Sequence, residues 1–371
     1  MSFDLLTRDA EVRIYEVRDK LAAIRDALEP NTAVRLRGSD WFSWITAGAS
    51  NVVLLTTHIG IAEVLVTPDQ AWVLTDPIEA QRLIDEELPS LFSLQVDPWA
   101  HPAERENAVQ KIAQGMSVVS DLPGPNENAL PSNILPLKRV MSPAEVVRYR
   151  RVGRWASEAM REVLSAANSE WSEYQLAGAG AEALWARGLH PALTMAAGAR
   201  RMAVYRHPTA TAEKLGRRAM LVFCARGFGL YANLTRFVSF DTPSTEWRKL
   251  QQQVCEIEAE TLDACRAKTR LSEIYQTLST TYREHGHPLA INEHHQGGTT
   301  GYLAREIVAT PHTHDLLTES TPMAWNPSLR GGGKIEDTFI TTATGLENLT
   351  YDPVWPHVIV HGRQRPLVLE L

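Results

Sequence analysis

Between residues 294 and 337 the chain reads HHQGGTTGYLAREIV, then a connector, then PMAWNPSLRGGGKIEDTFITT. His294, His295, Arg305, Glu306, Asn326, Lys334, Glu336 and Asp337 fall within these two glycine-rich, strand-like segments. Buried polar groups must find partners, so such a cluster delivered into an apolar setting marks a site and not ordinary core. The residue types suit proton transfer and the gripping of a small charged molecule. A neutral imidazole titrates near working pH and can activate water, a guanidinium grips a carboxylate bidentately, and a carboxylate holds an ammonium or guanidinium group. Adjacent strand residues face opposite ways, so only one of His294 and His295 is expected in such a pocket, and His295 is preferred. Lys334 and Asp337 are expected on the strand face opposite Glu336, in structural roles.

The elements that hold these groups must come from a chain of 371 residues, which exceeds one ordinary core and implies two domains. Hydrophobic residues make up 44% and charged ones 22%, the mix of a chain that buries a full core, which excludes disorder. Net charge is −7 with acids and bases interspersed, so no basic face is offered to nucleic acid or a membrane surface, and neither partner is expected. Cys224, Cys255 and Cys265 match neither a disulfide framework nor a zinc site, as in a reducing compartment. MSFDLLTRDAEVR lacks a basic region followed by an apolar run, and no eighteen-residue apolar stretch occurs; a cytoplasmic location is expected.

In the first third, helix and strand signals alternate. Val12, Ile14, Val17, Leu21, Ile24 and Leu28 predict a helix over residues 9–28, ended by Pro30 and Asn31. Strands are expected at 33–36, 52–56, 62–66, 71–74 and 117–120, with helices from Ile78 and over 103–114. Residues 123–136, PGPNENALPSNILP, disfavour helix and interior strand, so the boundary is placed there, between domains 1–135 and 136–371. SPAE at 142–145 supplies a capping serine, proline at the first helical position and glutamate three residues after the cap; a long helix starts there. Further helices are expected over 172–187, 244–267 and 271–285, with strands at 192–195, 219–224, 236–240, 334–342 and from 358. Helices segregated from mostly antiparallel strands make this second domain α+β, preceded by a smaller α/β unit.

RHP at 206–208, YANLTRF at 231–237, HHQGGTTGY at 294–302 and GGKIEDTFITT at 332–342 occur in a characteristic order. That order resembles the pita-bread family of aminopeptidase P, prolidase, methionine aminopeptidase and creatinase. WFSWITAGASN at 41–51 resembles the creatinase/prolidase amino-terminal domain, so the likeness covers nearly the whole chain. The resemblance implies a creatinase-like N-terminal α/β domain, then a pita-bread domain, a six-stranded curved antiparallel sheet backed by two helix pairs. It also implies a homodimer.

Metallopeptidases of this family hold two divalent ions with two aspartates, a histidine and two glutamates. On the family's spacing, the first aspartate falls on Val222 or Cys224 and the second on Asn233. The histidine falls on Gly298, the first glutamate on Asn326, and only Glu336 is retained. One carboxylate among amides cannot supply the anionic field a hard divalent ion needs, so no dinuclear metal site and no cofactor are expected. The resemblance includes a metal-free hydrolase, since creatinase cleaves a C–N bond with a histidine as acid/base assisted by a glutamate. His207 matches that histidine's motif position, Glu336 the late glutamate, and Arg305 in LAREI the arginine that grips the substrate carboxylate.

A metal-independent hydrolase follows, cleaving a C–N or amide bond of a small carboxylate-bearing molecule. His207 and Glu336 would be catalytic, and Arg305, His295, Asn326, Asn233 and Tyr231 would bind substrate. A creatinase glutamate that would align near Thr235 is missing, which disfavours creatine itself. Two readings stand beside this one. The chain is a non-catalytic homologue that uses its pocket for binding, or a repurposed enzyme of specialised metabolism performing an elimination, cyclisation or isomerisation. Residue by residue, His207 before Pro208 can simply cap a turn, and Arg305 can be a core arginine salt-bridged to Glu306 or Glu336.

Overall fold

The computed structural model describes residues 3–371, with side chains from residue 10 onward. Met1 and Ser2, which open the stretch read above for a leader, lie outside the described residues. Contacts divide the chain into two compact units, residues 1–145 and 146–371.

The first unit opens with α1 (Phe3–Ala27), which turns Val17, Leu21 and Ile24 into the core. Its sheet has the order β4-β3-β2-β1-β5-β6, formed by β1 (Thr32–Gly38), β2 (Ile59–Val66), β3 (Ala71–Thr75), β4 (Ser93–Val96), β5 (Ser117–Ser120) and β6 (Asn128–Ala129). β1 pairs antiparallel with β2 and parallel with β5, so the sheet is mixed. Four helices complete the unit: α2 (Ser39–Ile45), α3 (Ala80–Arg82), α4 (Pro102–Ala113) and α5 (Leu135–Arg139). WFSWI forms α2 and buries Trp41, Phe42 and Trp44. Residues 52–56 were expected as a strand and are turn and bend instead; Val53 and Leu54 are 60% and 61% exposed. β-branched composition favours a strand only where a neighbouring edge and a face to bury exist, and this stretch has neither. The proline- and asparagine-rich stretch 123–136 contributes β6 at the sheet's edge, where residues that disrupt pairing are tolerated.

The second unit is α+β. α6 (Pro143–Ala166) starts at the expected cap, where the Glu145 amide donates to Ser142 Oγ at 3.2 Å and the Ser142 amide donates to Glu145 Oε2 at 2.7 Å. α7 (Glu173–Trp185) is followed by β7 (His190–Gly198), the single turn α8 (Ala199–Met202), β8 (Arg218–Gly227) and β9 (Leu230–Ser239). The pattern recurs with α9 (Thr245–Ala264) and α10 (Leu271–Glu284), then β10 (Gly297–Thr299), β11 (Ile307–Val308), β12 (Pro322–Trp325), β13 (Ser328–Leu329), β14 (Gly333–Lys334), β15 (Asp337–Thr342) and β16 (Gly345–Asn348). The chain ends in the hairpin β17 (His357–Val360) and β18 (Arg363–Pro366) and the short β19 (Leu369–Glu370).

In place of the expected single six-stranded sheet, two sheets of order β19-β9-β8-β7 and β11-β10-β12-β15-β16 form. They are stitched together where the Thr235 amide donates to the Glu336 carbonyl at 3.0 Å. One apolar core packs α6 and α7 against β7–β9 through Val152, Met160, Leu176, Leu221, Phe223 and Leu234. A second packs α9 and α10 against β12 and β15 through Ile257, Leu262, Leu278, Met323, Trp325 and Phe339. Both helix pairs therefore back a largely antiparallel surface, leaving its other face for polar groups. Among the described residues no helix is long and apolar enough to cross a membrane.

Gly153 sets how closely α6 approaches the strands, because a Cβ there would lie 2.0 Å from the Leu349 carbonyl oxygen. Alanine gains about 1 kcal/mol of helix propensity, but a clash with backbone cannot be relieved by a rotamer change. We expect Gly153→Ala to destabilise the protein by roughly 1–3 kcal/mol, read as a lower urea midpoint.

Candidate functional site

β9 alternates strictly. Leu234 and Val238 enter the core under α6 and α7, while Asn233, Thr235 and Phe237 face the other side. Cys224 of β8 stands opposite Asn233 in register, and Val222 opposite Thr235. Glu336, between β14 and β15, reaches the Asn233 face. Its carboxylate is 3% exposed, accepts from Arg305 Nη2 at 2.6 Å through Oε1, and from Thr235 Oγ1 at 3.2 Å through Oε2. Arg305 is thus ion-paired with Glu336, one of the two partners named for it from the sequence. Arg305 Nη1 donates to the Ala304 carbonyl at 2.7 Å, and its buried Nε has no partner.

Lys334 was expected on the opposite strand face, but it lies two positions from Glu336 and the two share a side. Asp337 does lie opposite, accepting from Arg236 at 2.7 Å and paired with Arg365 at 2.9 Å. Lys334 is 6% exposed, and no hydrogen bond or ion pair joins its ammonium to another described residue. Burial pulls its pKa down, Glu336 pushes it up, and Arg305 pulls it down again. The spacing of two from Glu336 was the signal that could have found it.

Two buried acceptors are also unmet. Asn233 Nδ2 donates to Thr300 Oγ1 at 3.1 Å while Asn233 Oδ1 has no donor, and Asn326 Oδ1 likewise has none. Cys224 is no nucleophile here, because burial pushes its thiol up to about 12.

His207 lies in the loop between α8 and β8, with its ring partly exposed and partly covered. Its ring stands 6.0 Å from that of His294 and 5.7 Å from that of His295, so both histidines gather around it. Only one was expected. Residues 293–294 form a bend and 295–296 belong to no strand, so alternation does not apply to them. Arg206 anchors the His207 loop on that bend through Glu293, with Nε donating to Oε2 at 2.8 Å. The pKa of His207 is lowered by burial and then by Lys334; that of His295 by burial and then by Arg305. Both rings are therefore neutral proton acceptors near pH 7. His294 is committed elsewhere, with Nε2 on Ser328 Oγ at 2.7 Å and Nδ1 against the His295 carbonyl.

Tyr231 lies on β9 two positions before Asn233. Its ring lies 5.6 Å from the Arg226 guanidinium, and its carbonyl accepts from the Tyr149 hydroxyl at 2.5 Å. His207, His295, Arg305, Lys334 and Glu336 thus feel one another's charge, with imidazoles at an open mouth and charged groups on a buried floor. Among the described residues, no group of three or more His, Cys, Asp or Glu is placed to hold a metal ion. At Gly298, φ is +148° and a Cβ would meet the Ile307 carbonyl oxygen at 2.0 Å.

Residues 147–343 match the family described as metallopeptidase family M24. No curated protein sequence matches the chain. Among solved structures, the prolidase from Pyrococcus horikoshii OT3 is 18% identical with a TM-score of 0.75, covering 90% of this chain and 98% of its own. The Xaa-Pro dipeptidase from Bacillus anthracis is 15% identical with a TM-score of 0.75, covering 96% and 100%. The dipeptidase PepE from Mycobacterium ulcerans is 16% identical with a TM-score of 0.74, covering 98% and 99%. At these identities the likeness establishes the fold, which is the expected pita-bread architecture.

Burial holds the His294 pKa at about 3 against an ordinary value of 6.5. The unfolded chain therefore binds a proton that the folded chain refuses as pH falls below 6.5. The associated stability is fully present above pH 6.5 and is lost progressively down to about pH 3, with a slope of at most about 1.4 kcal/mol per pH unit. In His294→Asn, the urea midpoint should fall less steeply across that window than in the parent.

Proposed function

The chain belongs to metallopeptidase family M24, and from that premise we propose a metal-independent hydrolase that cleaves a C–N or amide bond in a small carboxylate-bearing molecule. The observation that carries this reading is the set of unmet polar atoms around Glu336. Among the described residues, Arg305 Nε lacks an acceptor, Lys334 lacks an ion-pair partner, and Asn233 Oδ1 and Asn326 Oδ1 lack donors. A molecule with a carboxylate and N–H groups supplies what each is missing.

The residues at the family's metal positions do not fit a divalent pair. Val222 is apolar, Cys224 holds its proton, Asn233 and Asn326 are neutral amides, and Gly298 has no room for a side chain. Glu336 already carries Arg305, and Lys334 adds a second fixed positive charge beside it.

The substrate carboxylate sits at the cationic floor formed by Arg305 and Lys334, and its N–H groups face the two asparagine oxygens and Glu336. His207 takes a proton from water as the water oxygen bonds to the carbon of the scissile bond. It then returns that proton to the departing nitrogen as the C–N bond breaks. His295, neutral and adjacent, keeps the mouth polar without adding charge. One observation favours a second reading, binding without turnover: Arg305 and Glu336 neutralise each other and need no ligand to be stable.

The test is turnover of N-acylated amino acids and guanidino acids by the full chain with a chelator present. We expect activity indifferent to chelator and reduced at least about 100-fold in His207→Ala, with an unchanged circular dichroism spectrum. Arg305→Lys, which keeps charge but loses the planar fork, should weaken binding about tenfold. Activity abolished by chelator and restored by a divalent ion defeats the proposal. Substrate binding without any turnover selects the second reading, and product formed without oxygen from labelled water selects a non-hydrolytic reaction.

A further inference from the structure

A cavity of about 690 Å³ runs between β9 and α9 and is walled on its outer side by the β17–β18 hairpin. Apart from Thr235 and Lys334, its lining lies outside the site around Glu336. Phe237, Val358, Ile359, Val360, Leu367 and Val368 give it apolar walls. Ile359 and Leu367 are 59% and 46% exposed. Contiguous exposed apolar side chains beside a concave surface mark a binding site more often than chance placement.

Two of its lining residues, Thr235 and Lys334, also belong to the surroundings of Glu336, so the cavity adjoins the charged floor. Its charged lining is otherwise committed. Arg236 pairs with Asp337 at 2.7 Å, Arg248 with Glu370 at 2.9 Å, and His285 with Glu260 at 3.2 Å. Of the three lysines and arginines that line it, only Lys334 has no partner, and Lys334 is also nine-tenths buried. An ammonium removed from water without a counter-ion is costly, and an anion is what completes it. A second amine would add like charge beside Lys334. A dianion would meet the Glu336 carboxylate; a single carboxylate with an apolar extension meets neither objection.

We propose that this cavity binds a carboxylate bearing an extended apolar chain, with the carboxylate at Lys334 and the chain along the hairpin walls. The inference deepens the hydrolase reading, on which it rests only for the carboxylate, and it narrows the substrate to molecules with a long acyl or alkyl group. Specificity then comes from the C-terminal hairpin, while the chemistry stays with His207.

Calorimetric titration of the full chain with butanoate, hexanoate, octanoate and 1-octanol tests this. Each buried CH₂ multiplies affinity by up to about four, so octanoate should bind at least tenfold tighter than butanoate and at least tenfold tighter than 1-octanol. Lys334→Met should cost octanoate at least tenfold. Ile359→Asp changes an exposed wall residue that the fold does not need, and should erase the chain-length gain even if Lys334→Met fails to fold. Equal affinities for butanoate and octanoate overturn the proposal. So does 1-octanol matching octanoate, or octanoate binding that Ile359→Asp leaves untouched. Comparing N-octanoylglycine with N-acetylglycine separates the two readings. Octanoate binding with neither compound cleaved removes the hydrolase and leaves the cavity standing, whereas cleavage with no chain-length preference removes the cavity and leaves the hydrolase.

Discussion

Two carboxylates adjacent in sequence, Glu336 and Asp337, are buried on opposite faces of one strand junction, and burying them there is costly unless cations from elsewhere in the chain pair with them. Glu336 is met by Arg305, and Asp337 by Arg236 and Arg365, the latter also paired with Glu258. These partners come from β9, from the loop after β10, from α9 and from the C-terminal hairpin, so one junction gathers distant parts of the second unit. It also fixes register. A slip of one residue would exchange the faces, bringing Asp337 among the histidines and Glu336 against Arg365, with every pairing lost at once.

The same alternation explains what was legible in the sequence and what was not. Capping chemistry is local, and Ser142 with Glu145 foretold the start of α6 to the residue. Strands bounded by turns and carrying a buried face, such as β2, β3 and β8, were visible for the same reason. Residues 52–56 misled because composition says nothing about whether a neighbouring edge is present. His294 and His295 misled because a bend was read as strand, and Lys334 because its spacing from Glu336 was counted to the wrong face. The convergence of His207 with residues nearly a hundred positions later came from motif order, not from any property of the loop that carries it.

A site with fixed cations behaves differently from one with exchangeable ions. Arg305 and Lys334 are covalently part of the fold, so the charge on the floor does not vary with the supply of any ion, and it is positioned by strand geometry. The imidazoles of His207 and His295 stay neutral first because burial disfavours their charged form, and then because that positive floor opposes protonation. Floor and imidazoles are therefore one electrostatic unit, in which the buried cations help to keep the rings above them unprotonated.

Gly298 gives this arrangement a direction in time. Its backbone lies so close to the Ile307 carbonyl that no side chain fits, and its φ of +148° suits glycine. A histidine introduced there would require β10 and β11 to separate first, breaking the pairing of Gly298 with Val308. Descendants of this chain can alter their pocket by many single codon changes, but placing a side chain at this position is not one of them. The tight approach of two strands works as a ratchet, closing one evolutionary path while the rest of the pocket remains free to drift.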